Sequence, residues 1–295
     1  MKLLGTGSYL PPMIVTNKEM ADNTDTNAAW IWKNLGIKER RIAVYGTTSL
    51  LASGAALRAI DNSGLTKDDI DLLIVATATP DMKAPSTACL VQEEIEAYNA
   101  VCFDVNAVCS GFLYAMSIAD AFLSMGIYTH ALIIGADTFS TITDWTSRDA
   151  VFFGDGAGAA VFTYGGESTF RLYSDARGNG FEVPNLGTFD MNGRAVYDKA
   201  VLELPKAIEV VLDDAGLTID DIDYMIPHQP SIGILKETAK RIGLPWEKVM
   251  TNMDKYANTA AATIPILLDE VRPKGKVLFA AMGSGWTWGA AILKI

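Results

Sequence analysis

Histidine is nearly absent from this chain, with only His130 and His228 in 295 residues. Any chemistry that needs an imidazole therefore has two candidates. Cysteine is almost as scarce: Cys89, Cys102 and Cys109 are odd in number and none is in CxxC spacing, which suggests neither a disulfide framework nor a zinc site. A reducing, cytoplasmic setting is expected. Cations are outnumbered, 24 Lys and Arg against 35 Asp and Glu, for a formal charge of −11. Nucleic-acid affinity comes largely from cations set against phosphates, so no nucleic-acid partner is expected. Long apolar runs are missing too, since Gly, Asp or Thr breaks each one well before the roughly 18 to 20 residues that span a bilayer. The opening "MKLLGTGSYLPP" breaks at Gly5, and neither a membrane span nor a cleaved signal is expected.

What the chain does have is apolar residues, 49% of the total, enough for a large core. It also has an internal repeat. Residues 61 to 74, "DNSGLTKDDIDLLI", match residues 213 to 226, "DDAGLTIDDIDYMI", at nine of fourteen positions and a constant offset of 152. Each copy runs from a helix end through Gly, which tolerates positive φ at a C-cap, into an Asp-rich turn and a strand. Strands such as "DLLIVATA" and "ALIIGAD" are continuously apolar, the pattern of strands covered by helices on both faces. The expectation is a duplicated α/β unit, residues 1–165 and 166–295, packed as one body with its site where the halves meet.

The same offset sets Asn106 opposite Asn258, so "DVNAVCSGF" and "KYANTAAAT" occupy corresponding strand-to-helix junctions. Cys109 then lies at or near a helix N-terminus, where the dipole and unpaired N–H groups favour a thiolate. It reads equally as a buried structural thiol, because free Cys is among the most buried residue types. His228, in "YMIPHQPS", follows a strand at the end where α/β folds commonly place ligands and catalytic groups. His130 reads as structural, between a helix end and a strand. Asn258 reads alone as a helix N-cap. Pseudo-symmetry, however, delivers Cys109, His228 and Asn258 to strand ends on one side of the fold. The runs "GDGAGAA" and "GSGWTWGA" lead into apolar β-like segments rather than helices, so a dinucleotide fingerprint is rejected. An exposed Gly285 N–H is a candidate oxyanion donor.

These residues carry a resemblance. The motifs "GTGSYLP", "GIKERRIA", "PSTAC", "DVNAVCSGFLYA", "FGDGAGAAV", "PHQPS", "ANTAAATIP" and "GSGWTWGA" follow one another in the order found in the ketoacyl-acyl-carrier-protein synthase III family of the thiolase superfamily, which the chain resembles along nearly its whole length. The resemblance implies a five-layered αβαβα fold, usually a homodimer, with a catalytic triad of Cys109, His228 and Asn258. It implies decarboxylating Claisen condensation of an acyl-CoA primer with a malonyl-acyl-carrier protein through an acyl-cysteine, initiating fatty-acid or related synthesis. The backbone N–H groups of Cys109 and Gly285 map to the oxyanion hole, and Trp30 and Arg148 to CoA contacts. No metal or organic cofactor is implied, CoA serving as part of the substrate.

The chain also departs from the pattern. Asn34 stands where many members have an Arg that helps hold the CoA adenine. Ser231 replaces the Asn of "HQAN", and Ala257 the Gly of "GNTS". Ala84 stands where a bulky aromatic from the partner subunit often caps a two-carbon acyl pocket, with Met82 nearby, so a longer or branched acyl chain is expected. Lys236, Lys240 and Arg241, with Lys255, are the expected carrier-protein patch. Two other readings are acyl transfer from the cysteine to an oxygen or nitrogen nucleophile, and a catalytically silent partner of an active synthase.

Overall fold

The computed structural model describes residues 1–178, 180–184 and 186–295. The first half runs β1 (Lys2–Tyr9), β2 (Met13–Thr16), α1 (Asn17–Ala21), α2 (Ala28–Leu35), β3 (Glu39–Ile42), α3 (Thr48–Ser63), β4 (Leu72–Ala76), α4 (Thr87–Glu94), β5 (Val101–Val105), α5 (Gly111–Ser124), β6 (His130–Asp137) and β7 (Gly156–Thr163). The second half follows with β8 (Ser168–Ser174), β9 (Phe181–Glu182), β10 (Asp190–Met191), α6 (Gly193–Ala215), β11 (Tyr224–Pro227), α7 (Ile232–Ile242), α8 (Met253–Tyr256), α9 (Thr263–Val271), β12 (Lys276–Gly283) and β13 (Thr287–Lys294).

The repeated segment folds the same way twice. Gly64 and Gly216 close α3 and α6 in the left-handed region, with φ of +75° and +65°. The next residues, Thr66–Asp69 and Thr218–Asp221, each form a capping box in which the Asp accepts from the Thr backbone and the Thr caps the turn. β4 and β11 then enter their sheets.

One sheet has the order β1-β7-β6-β4-β5 and the other β11-β12-β13-β8. In both, two strands run parallel and the next joins antiparallel: β4 with β6 and then β7, β11 with β12 and then β13. The halves differ at one edge. β5 pairs with β4 along its full length, whereas in the second half the corresponding pairing shrinks to a single bridge between Met225 and Val249.

α5 and α9 lie between the two sheets, and their apolar residues share one core with both: Phe112, Leu113 and Met116 from α5, Ile264 and Leu268 from α9. α3 and α4 cover the outer face of the first sheet, and α6 and α7 that of the second. The result is the five-layered αβαβα arrangement. β4, Leu72–Ala76, is buried throughout because helices cover both its faces, which explains its unbroken apolar run. Truncating a central side chain such as Phe112 to Ala costs about 3 to 5 kcal/mol. Among the described residues no helix is long and apolar enough to cross a membrane.

Candidate active site

The central helices bring their leading turns to one place. Cys109 lies on a 3-10 turn, Val108–Ser110, that joins β5 to α5. The Ser110 N–H closes this turn on the Ala107 carbonyl at 3.1 Å, and Asn106 Oδ1 accepts the Val108 N–H at 3.3 Å. Val108 has φ of +46°, strained for a β-branched residue and held by its surroundings. Cys109 is 8% exposed. Burial pushes its thiol well above the usual range, and the Asp137 carboxylate adds to the push, while its own N–H and Asn258 oppose it. Burial and Asp137 thus act against the thiolate that the helix terminus favours.

His228 follows β11, its N–H donating to the Ala280 carbonyl of β12 at 2.9 Å. Its Nε2 lies 3.0 Å from Asn258 Oδ1. The Ala260 N–H donates to that same oxygen at 2.9 Å, which sets the amide with its oxygen toward His228 and leaves its NH2 group for the sulfur of Cys109. With an acceptor opposite, the imidazole carries its proton on Nε2. Burial lowers His228 to about 4, so the ring is neutral at pH 7. The Asn258 backbone is fixed by pairing with the chain beyond Phe152: its N–H donates to the Phe152 carbonyl, and its carbonyl accepts from Gly154, both at 3.0 Å. Cys109, His228 and Asn258 line one cavity of about 480 Å³.

One of the sequence departures, Ser231, takes a defined place beside the retained Gln229. Ser231 caps α7, its Oγ accepting the Ile234 N–H at 3.4 Å, rather than contacting His228. Gln229, buried beside His228, accepts the Asn252 and Met253 N–H groups at 2.9 and 3.0 Å and so ties the end of β11 to the start of α8.

Gly285 is not among the residues that line the cavity of Cys109; Gly283 and Ser284 are. A side chain at Gly283 would stand 2.5 Å from the Ala107 carbonyl and 3.0 Å from the Cys109 nitrogen, so only glycine lets β12 come this close to the cysteine turn. The tight Gly283–Thr287 hairpin turns Gly285 away, into a second cavity of about 770 Å³ with Val108 and Thr287.

Trp30 lines the mouth of the first cavity, and the Arg148 guanidinium sits 4.3 Å from its ring centroid. Asn34 lines the same mouth, its amide donating to the Trp30 carbonyl. Met82 lines the second cavity and Ala84 is exposed on the loop before α4, so neither reaches the chamber of Cys109 within one chain. Lys236, Lys240 and Arg241 are exposed along α7, whose first turn lines the cavity, and Lys255 is exposed on α8. Arg241 also donates to Glu237 at 2.7 Å. His130, at the start of β6, contacts the Asp69 carbonyl through Nδ1 and stands apart from the site. Among the described residues no group of three or more His, Cys, Asp or Glu side chains is arranged to hold a metal.

Sequence reasoning missed an aromatic wall. Phe139 stacks on Phe153 with centroids 4.3 Å apart, Phe189 packs edge-on to Phe153 at 5.0 Å, and Phe181 stacks on Phe189 at 5.4 Å. This group packs with Cys109 in one cluster. The only signal was the Phe pair of "AVFFGDG", since Phe181 and Phe189 come from a short hairpin, β9–β10, that has no helical or strand periodicity of useful length. Asp137, buried at the end of β6, was likewise overlooked.

Models of the 3-oxoacyl-[acyl-carrier-protein] synthase III family match residues 103–179 and, for its C-terminal portion, residues 212–295. The chain is 42% identical to the beta-ketoacyl-[acyl-carrier-protein] synthase III of Clostridium acetobutylicum, with 100% of this chain and 98% of that protein covered. It is 44% identical to the one of Rhizorhabdus wittichii, covering 99% and 98%. Among solved structures, the 3-oxoacyl-[acyl-carrier-protein] synthase III of Aquifex aeolicus superposes with a TM-score of 0.97 at 40% identity, covering 100% and 99%. With the duplicated five-layered fold and full-length identity above 40% in agreement, the chain belongs to the beta-ketoacyl-[acyl-carrier-protein] synthase III family.

Proposed function

We propose that this protein condenses an acyl-CoA primer with a malonyl group on an acyl-carrier protein, through an acyl-cysteine on Cys109. The observation that carries this reading is the Asn258 amide, held by Ala260 and His228 with its NH2 group toward the cysteine. Transfer of an acyl group to a heteroatom needs no such donor. Decarboxylation does, because charge grows on the malonyl thioester oxygen as the C–C bond breaks.

In the first step the Cys109 sulfur bonds to the primer carbonyl carbon, the bond to the CoA sulfur breaks, and the thiol proton leaves with CoA. The oxyanion draws on the Cys109 N–H and a second backbone N–H from the Gly283–Ser284 stretch, in place of Gly285. In the second step the malonyl carboxylate departs as CO2. The enolate oxygen takes over the His228 Nε2–H and a proton of the Asn258 amide. The enolate carbon then bonds to the acyl carbon, the acyl bond to the Cys109 sulfur breaks, and the thiolate takes a proton from solvent.

Trp30 and Arg148 form the platform for the CoA adenine, with Asn34 a weaker contact than an arginine. The basic side of α7, with Lys236, Lys240, Arg241 and Lys255, receives the acidic carrier. The open edge of β5 pairs with that of a second copy, which brings the Met82–Ala84 loop toward the partner's chamber and leaves space for a longer or branched acyl chain. Three free thiols go with a cytoplasmic location.

Intact-mass measurement after incubation with acetyl- to decanoyl-CoA, then with malonyl-carrier protein, tests the scheme. The expected results are an adduct on Cys109 that Cys109→Ala abolishes, and a ketoacyl-carrier product. An adduct discharged only to heteroatom nucleophiles, or no adduct at all, overturns it.

A further inference from the structure

The turn that carries Cys109 has a counterpart in the second half. Residues 260–262 form a 3-10 turn before α9 as residues 108–110 do before α5. The Ala262 N–H closes it on the Thr259 carbonyl at 3.0 Å, as Ser110 closes on Ala107 at 3.1 Å. By this offset Ala261 stands where Cys109 does. The strands behind the turns also correspond, β6 and β12 being eight residues each and both ending against the opposite turn, so Asp137 and Gly283 are equivalent.

Their contacts differ in kind. Gly283 has no side chain, and Cys109, whose nitrogen lies beside it, lines a cavity. Asp137 reaches across with Oδ2 and accepts the Ala261 N–H at 3.0 Å. Its Oδ1 accepts from the Ala78 N–H at 2.8 Å and from the hydroxyls of Thr77 and Thr79, both at 3.1 Å. The carboxylate is fully buried, and burial raises it to about 6, against the pull of these four donors.

We infer that Asp137 is a positioning residue: its carboxylate fills the second half's copy of the oxyanion pocket and thereby locks the turn from which Ala260 aims the Asn258 amide. The same feature that is left open for substrate at Cys109 is closed by a side chain at Ala261. The charge of Asp137 also raises the cost of a thiolate at Cys109. The inference rests on the condensing reading above.

Two effects of opposite sign follow from Asp137→Asn. Loosening the Asn258 turn slows decarboxylation of malonyl-carrier protein about tenfold or more, the scale of a displaced oxyanion donor. Removing the Asp137 charge speeds alkylation of Cys109 by iodoacetamide at pH 8 several-fold, because more thiolate is present. Acylation by acyl-CoA, served by the untouched Gly283 side, stays within about threefold. A merely structural role would depress all three rates in step with a fall in Tm, and that result, or an unchanged decarboxylation rate in a folded variant, overturns the inference. Thr77→Val, which removes one donor and keeps the carboxylate, covers the case of a variant that does not fold: it is expected to slow decarboxylation more than acylation, and equal slowing overturns the inference. Wild-type protein that never forms an acyl-cysteine refutes the condensing reading instead.

Discussion

Val108 and Ala260 stand 152 residues apart and take nearly the same left-handed backbone, with φ of +46° and +49°. Val108 precedes Cys109, which lines the cavity, and Ala260 precedes Ala261, whose N–H donates to Asp137; the hydrogen bonds and packing around each hold it in place. Ala257, just before Asn258, is more strained still, with φ of +57° and ψ of −152°, a region almost confined to glycine. Ala257→Gly is expected to raise stability by about 1 kcal/mol, since relief of strain exceeds the added chain entropy of glycine. Ala260→Gly, in a milder left-handed region, should be close to neutral. Urea unfolding of the two variants checks the contrast.

Asn258→Ala should separate the half-reactions. Acyl transfer from CoA to Cys109 persists, while condensation with malonyl-carrier protein falls about 10²- to 10³-fold, as for loss of one oxyanion donor. Rapid-quench mass spectrometry reads both steps on one sample. Equal loss in both would place the amide in the acylation step.

The raised pKa of Cys109 predicts its reactivity profile. Because burial and Asp137 hold the thiol above the ordinary range, the thiolate fraction at pH 7 is small and grows about tenfold per pH unit. Iodoacetamide labelling should therefore rise without a plateau from pH 7 to about 9.5. A plateau near pH 7 would mean that the helix terminus, not desolvation, governs the sulfur.

His228 and Asp137 oppose each other in the acid stability of the fold. His228 is lowered from 6.5 to about 4, so its contribution is present above 6.5 and fades as pH falls toward 4. Asp137 is raised from 3.8 to about 6, so its contribution is present below 3.8 and is lost as pH rises through 6. Each spans about 3 kcal/mol, at 1.36 kcal/mol per pKa unit. Between pH 6.5 and 4, His228→Ala should gain stability relative to wild type as pH falls, and Asp137→Asn should lose it. Chemical denaturation at stepped pH would show the two differences crossing in opposite directions.

How far the sequence could be read depended on what is local. Capping boxes, glycine caps and apolar strands depend on neighbours a few residues away, and the repeat extended them to Asn258 through its correspondence with Asn106. Contacts set by sheet register were invisible. That Gly283 rather than Gly285 abuts Cys109 follows from where the β12–β13 hairpin turns. The burial of Cys109, and the charge of Asp137 28 residues away in sequence, are set by how the two halves pack and leave no local signal. The phenylalanine wall was missed because its members lie on four separate segments.

The two sheets have unequal edges. Val249 reduces the second half's edge to one bridge, but β5 presents a full strand, with Tyr98 69% and Val101 50% exposed beside it. Backbone amides at such an edge do not distinguish one extended chain from another. The choice of any chain that adds at this edge therefore falls to those few flanking side chains.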